Sequence, residues 1–107
     1  VPHGVTSCIA LPAAARFLNE RTAPAQRQIA AALGADPDRL GNDGCAPAIE
    51  AFFDTLDIPR RLSETSAVRD EIPLVAEAVA RELEHLGAPD QDIATKEALT
   101  ILLESAW

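Results

Sequence analysis

His3 stands close to Ser7 and Cys8, a base beside two nucleophiles, and is the first place in this 107-residue chain where residue types could do chemistry. No third group to orient the imidazole can be identified, and no glycine-framed elbow surrounds Ser7. Ser7 therefore reads as a helix cap and Cys8 as core filling. The other histidine, His85, falls in the last turn of an acidic helix beside Glu82 and Glu84. A histidine there satisfies terminal carbonyls and complements the helix dipole. Cys8 and Cys45 form no C-x-x-C pair and no Cys/His cluster at zinc spacing. They read as two reduced, buried thiols of a cytoplasmic protein, and nothing supports a single disulfide between them. The acids of GADPDRLGNDGCAP, residues 34–47, lack the alternating ligands, central Gly and terminal Glu of a calcium loop, and read as solvated turn residues. The remaining Asp and Glu are spread over helix faces, with no carboxylate pair set apart for acid–base work.

The composition excludes several partners. The net charge is −8, and residues 1–34 carry Arg16, Arg21 and Arg27 against Glu20 alone, so the acid is concentrated in the later two thirds. Nucleic-acid affinity rests on Lys and Arg neutralising phosphates, and no basic stripe exists, so no nucleic-acid partner is expected. An anionic membrane surface is disfavoured for the same reason. The longest apolar run is too short to span a bilayer. Only 4% of residues are aromatic, so a core must be built from Ala, Leu, Ile and Val.

Helical periodicity runs through the chain, and no segment alternates with period two. A first helix is predicted over residues 6–20, capped by Thr6 or Ser7, apolar on every side in its first half and therefore buried all round; Pro12 should kink it or divide it near Ala10. Thr22-Ala23-Pro24 restarts the chain as a helix that Gly34 stops. Pro47 opens a third helix whose Ile49, Phe52, Phe53 and Leu56 stripe should anchor the core. The longest helix, over residues 70–86, has Asp70 as cap, a buried stripe of Ile72, Val75, Val79, Leu83 and Leu86, a Glu77–Arg81 pair on its wet side, and Gly87 as stop. Thr95 caps a last helix with Leu99, Leu102, Leu103 and Ala106 on its inner face, ending at Trp107. The expectation is one all-α domain over residues 1–107, a bundle of five or six helices with short connections except for residues 34–47.

Ordered along the chain, several short stretches resemble one family. Pro2-His3-Gly4, Leu11-Pro12 and Phe17-Leu18-Asn19 look like the metal-binding stretch in the second half of iron-containing (group III) alcohol dehydrogenases and their maleylacetate reductase relatives. QIAAALG (residues 28–34) resembles the family's following helix. IEAFFDTLDIPRRLSE (residues 49–64) resembles its helix, Leu-Gly-Ile-Pro-like turn and Leu-x-x-Leu segment, and KEALTILLESAW (residues 96–107) its closing helix. GVTSCIALP, and GAPDQDIAT where an Asn-Pro-Arg would precede the last helix, lean toward the maleylacetate reductase-like branch.

The resemblance implies a two-domain parent: an N-terminal α/β domain for NAD(P), then a helical domain holding a divalent metal, iron or zinc, with one Asp and three His. This chain would be the closing part of that helical domain, a fragment whose opening Val-Pro-His-Gly is an interior loop, and His3 would match the last of the three histidines. The parent would transfer hydride between nicotinamide and a small alcohol or carbonyl substrate in the cytoplasm, the metal acting as Lewis acid. The isolated chain would bind no cofactor, be inactive, and self-associate through its exposed apolar first helix. A free-standing acidic helical interaction module without catalysis is the alternative.

Overall fold

The computed structural model describes residues 3–107. Five α-helices, α1 (His3–Phe17), α2 (Asn19–Ala32), α3 (Ala46–Phe53), α4 (Ile72–His85) and α5 (Lys96–Ser105), are joined by loops that contain three short 3₁₀ turns, Pro37–Arg39, Leu62–Glu64 and Arg69–Glu71. No strand occurs among the described residues, so the all-α expectation holds. The helices form a slab of 37 × 32 × 19 Å. Its thin dimension is about two helix diameters, and its radius of gyration of 14.3 Å exceeds the roughly 13 Å of a compact chain of this length.

Two alanine-rich clusters make the core. Ala15, Ala30, Cys45, Ala46 and Ile49 form one, with Ala35, Leu40 and Phe53 against it. Ala76, Ala94 and Leu99 form the other, with Phe17, Ala80, Leu83 and Leu103 around it. Helix α1 joins them, giving Ala15 to the first and Phe17 to the second, and it packs on α2, α3 and α5. Small side chains let backbones approach closely, and α4 against α5 is the most extensive helix pair.

The helix boundaries depart from the sequence reading at identifiable points. Thr6 and Ser7 lie inside α1 and not at its start, because the helix already includes His3. Pro12 does not divide it: the helix runs unbroken through Phe17, with Pro12 buried alongside Ile9 and Ala15. Packing of that face compensates the donor that proline lacks. Helix α1 is not buried all round either, since Leu11 remains 48% exposed. The break falls at Leu18, and Thr22 interrupts α2 with non-helical angles (φ −124°, ψ 21°) two residues before Pro24, at the expected Thr-Ala-Pro restart. Gly34 and Gly87 both adopt positive φ and close their helices: Ala35 N–H reaches the Ala30 carbonyl at 2.9 Å, and Ala88 N–H reaches Leu83 at 2.9 Å. Thr95 caps α5, its Oγ1 accepting from Ala98 N–H at 3.2 Å. Helix α4 begins at Ile72 after a 3₁₀ turn, and Glu71, not Asp70, occupies its cap position without a side-chain bond.

The expected stripes are only partly covered. In α3, Ile49 is buried and Phe53 half-buried, while Phe52 is 49% exposed and Leu56 also faces out, so the pair of phenylalanines does not anchor the core. In α4 the inner row is Ile72, Ala76 and Leu83, and Val75, Val79 and Leu86 stay exposed. Period alone cannot tell which part of a wide apolar face meets a neighbour. The connection after the third helix, expected to be short and to begin past Leu56, takes in residues 54–71 and forms a long ordered strap. Arg60 donates to the Glu50 carbonyl at 3.1 Å, pairs with Asp54 and lies over the Phe53 ring. Arg69 pairs with Glu104 at 2.7 Å and lies over Trp107. Leu62 N–H bonds the Ala106 carbonyl at 2.8 Å.

One buried side chain ties the first three helices together. Gln26, 4% exposed, donates to the Ala15 carbonyl at 2.8 Å and to Thr22 Oγ1 at 3.0 Å, and accepts from Cys45 N–H at 3.0 Å. Ala15 lies in the last turn of α1, where carbonyls lack helical partners. Gln26→Leu keeps the bulk but leaves that carbonyl and the Cys45 N–H unpaired. The expected loss, about 2–4 kcal/mol in urea unfolding, contrasts with no more than about 0.5 kcal/mol for Gln28→Leu on the exposed side of the same helix.

Helix α2 is also fastened to the loop before α5. Arg21 grips Asp92 through two bonds, 2.8 and 2.6 Å, and reaches Asp90 at 3.4 Å. The hydrogen bond from Arg21 holds the Asp92 carboxyl below the usual aspartate range. A lowered folded-state value means this link is fully present above the ordinary aspartate pKa of about 3.9 and is lost as pH falls through the folded value. Arg21→Ala should move the Asp92 carboxyl titration upward, read by carboxyl-carbon NMR; an unmoved titration would show that the pair does not persist in solution.

Candidate functional site

Helix α1 displays His3 in its first turn, exposed to solvent. Its imidazole makes no hydrogen bond or ion pair with any described residue. Ser7 lies one turn further along the same face and is also exposed, while Cys8 is half-buried. No hydrogen bond joins His3 to Ser7, and no acid orients the ring, so the structure assembles no nucleophile–base pair here. Gly4, exposed beside His3, leaves open space where a side chain would stand.

His85 is the last residue of α4 and is exposed. It does not satisfy the terminal carbonyls, as the sequence reading had it. The Gly87 turn does so through backbone N–H groups, with Gly87 bonding Glu84 at 3.1 Å beside the Ala88–Leu83 bond. The two histidines therefore stand on different helices with no shared partner.

Both cysteines are free thiols. Cys45 is 1% exposed at the head of α3, and burial pushes its thiol up, away from the reactive thiolate. It serves the core, as expected of it. The end of the glycine- and acid-rich loop is likewise buried, not solvated: Gly44 (φ +58°) presses so close to Asn19 and Gln26 that a Cβ there would collide with both side-chain oxygens. Asn19 donates to the Asn42 carbonyl at 3.0 Å and holds this loop against the α1–α2 junction. The loop acids act as turn and ion-pair partners. Asp36 caps the 3₁₀ turn by accepting from Asp38 N–H at 2.9 Å, Asp38 pairs with Arg27 at 2.6 Å, and Asp43 with Arg16 at 3.5 Å.

A polar recess lies where α1, α3, the end of α5 and residues 60–61 converge. It is a cavity of about 290 Å³ lined by Ile9, Pro12, Arg16, Glu50, Arg60 and Arg61 among others. Most of its charges are paired: Arg16 with Glu50 and Asp43, and Arg60 with Asp54. His3 does not line it. Sequence spacing gave no hint of this recess, because its arginines come together only through the strap of residues 54–71.

Among the described residues, no group of three or more His, Cys, Asp and Glu side chains could hold a metal ion. A zinc or iron site needs at least three protein donors, and His3 offers one accessible imidazole. The residues present thus fit a single ligand position and do not complete a metal site. No helix among them is long and apolar enough to cross a membrane.

Comparison with known proteins gives this helical slab its relatives. The chain is 29% identical over 110 residues to the lactaldehyde reductases of Escherichia coli K12 and of Escherichia coli O157:H7. The similarity covers 99% of this chain but only 28% of each relative. No solved structure matches. The family model for the C-terminal part of the Fe-containing alcohol dehydrogenases matches residues 1–107, the entire sequence. The chain therefore belongs to the Fe-containing alcohol dehydrogenase family, and corresponds to its C-terminal region.

Proposed function

We propose that these residues are the closing part of the helical domain of a metal- and NAD(P)-dependent oxidoreductase acting on a small aldehyde or the corresponding alcohol. The observation that carries the reading is the family match over all 107 residues. The similarity to proteins named lactaldehyde reductase favours a short aldehyde over maleylacetate as substrate class. Coverage of 28% of those relatives is consistent with most of the machinery, a nucleotide-binding domain included, lying in other parts of a longer polypeptide. The match also favours this reading over that of an acidic interaction module.

Within that polypeptide His3 supplies one metal ligand. Its exposure at the start of α1 and its lack of any described partner leave the imidazole free for the task. The chemistry supplied by a bound divalent metal is Lewis-acid polarisation of the substrate oxygen, and hydride transfer belongs to the nicotinamide. What this chain contributes is position. Helix α1 is held rigidly by α2, α3 and α5, and the Gln26 network fixes its far end. By itself the chain offers one donor and no turnover of nicotinamide is expected from it. Self-association of the separated chain through α1 would have to use a face other than that of Ile9, Pro12 and Ala15, which is already covered.

The test is made in the longer polypeptide. His3→Ala should lower metal affinity by more than the roughly 10–100-fold that loss of a supporting contact around a metal commonly costs, and NAD(P)H-dependent aldehyde reduction should fall with metal content. His85→Ala should change neither. Equal metal content in the two variants, measured by elemental analysis after dialysis, would remove His3 from the metal.

A further inference from the structure

The outer flank of α4 is an apolar surface left open. Val75, Val79 and Leu86 are 46%, 40% and 67% exposed, yet they run directly beside the inner row of Ile72, Ala76 and Leu83. The core thus continues onto a surface that nothing in the slab covers. Where Val75 approaches α1, the flank opens into an apolar recess of about 160 Å³ lined by Thr6, Val68, Ile72, Val75, Leu103 and Trp107. The solvent side of the helix is elsewhere: Leu74, Ala78, Arg81 and His85 share another face, and Arg81 is paired with Glu77 at 2.7 Å. Soluble proteins rarely leave a contiguous patch of large aliphatics beside their own core unless something packs on it.

We propose that the Val75–Val79–Leu86 flank of α4 seats an amphipathic helix from the part of the same polypeptide outside these 107 residues. The inference rests on the reading of the chain as the closing part of a longer oxidoreductase. Two observations select this occupant. The matched relatives are more than three times the length of the matching stretch, so a large further part of such a chain is on hand to cover a slab two helices thick. The flank is also bordered by Glu71 and Glu82, in a chain of net charge −8. A second copy would bring acid against acid, whereas a helix whose aliphatic face is edged by Lys or Arg would match.

Thiol labelling in the full-length polypeptide tests this, in a Cys8→Ser background so that the buried Cys45 is the only native thiol left in the region described. Val79→Cys should react at least roughly tenfold more slowly than Leu74→Cys, as expected of a site reached only through local opening, and the rate should not depend on protein concentration. Val75→Cys repeats the measurement if Val79→Cys does not accumulate as folded protein. Labelling of both flank positions as fast as Leu74→Cys overturns the proposal. Slow labelling that appears only as concentration rises assigns the flank to a second copy and overturns it as well. Fast labelling in an enzyme that still reduces aldehyde with NAD(P)H removes this docking surface alone. Absence of both that activity and any longer reading frame removes the oxidoreductase reading beneath it.

Discussion

The side-chain amide of Gln26 is the constraint on which the arrangement of the first three helices depends. Helix α1 ends inside the protein, where its last carbonyls would otherwise be buried without donors, and α3 begins nearby with a buried N–H. One glutamine meets both needs, because its amide carries a donor and an acceptor at one tip. Thr22 takes its second donor bond, and Thr22 is itself the residue where α2 bends. Gly44 then has to be glycine, since the loop crosses against this amide with no room for a methyl group. A helix end, a bend and a loop crossing are thus settled by one polar contact in an alanine-lined interior.

That economy suits a core with little bulk. Alanine is the commonest buried residue, with Ile9, Ile49, Ile72 and Leu99 the large aliphatics beside it, and many other large aliphatics lie at the slab's faces. Alanine gives close helix approach but little apolar area per residue, so burial contributes modestly to stability. Arginine bridges across the surface, Arg16 to Glu50, Arg21 to Asp92 and Arg69 to Glu104, join segments 34 to 71 residues apart. Exposed pairs of this kind are each worth little. Their effect is to fix the long loops in register with the helices they cross.

The candidate site shows the difference between a ligand and a site. His3 is exposed on a firmly held helix, and nothing among its described neighbours gives it work to do. Ser7 sits a turn away without bonding it, and the acids that looked available in the loop of residues 34–47 are engaged as caps and as partners of Arg16 and Arg27. The meaning of His3 therefore comes from the family the chain belongs to, not from the chemistry of its immediate surroundings.

Helix number and type, the glycine stops at Gly34 and Gly87, the Thr95 cap and the restart at Thr22-Ala23-Pro24 were determined by the sequence alone. These are local devices: a missing Cβ, a hydroxyl three residues from an N–H and a ring that fixes φ act within one turn of chain. The ordered resemblance in Pro2-His3-Gly4 and the later stretches likewise placed the chain in its family before any fold was in view. Tertiary structure decided the rest. It kept α1 continuous through Pro12, turned Val75, Val79 and Phe52 outward while burying Ala76, and ordered residues 54–71 as a strap. It also gave Gln26, which looks like any polar residue on a surface helix, the central hydrogen bonds. Each of these outcomes depends on which neighbour a face meets across the fold, and a linear pattern records the width of an apolar face but not the partner that covers it.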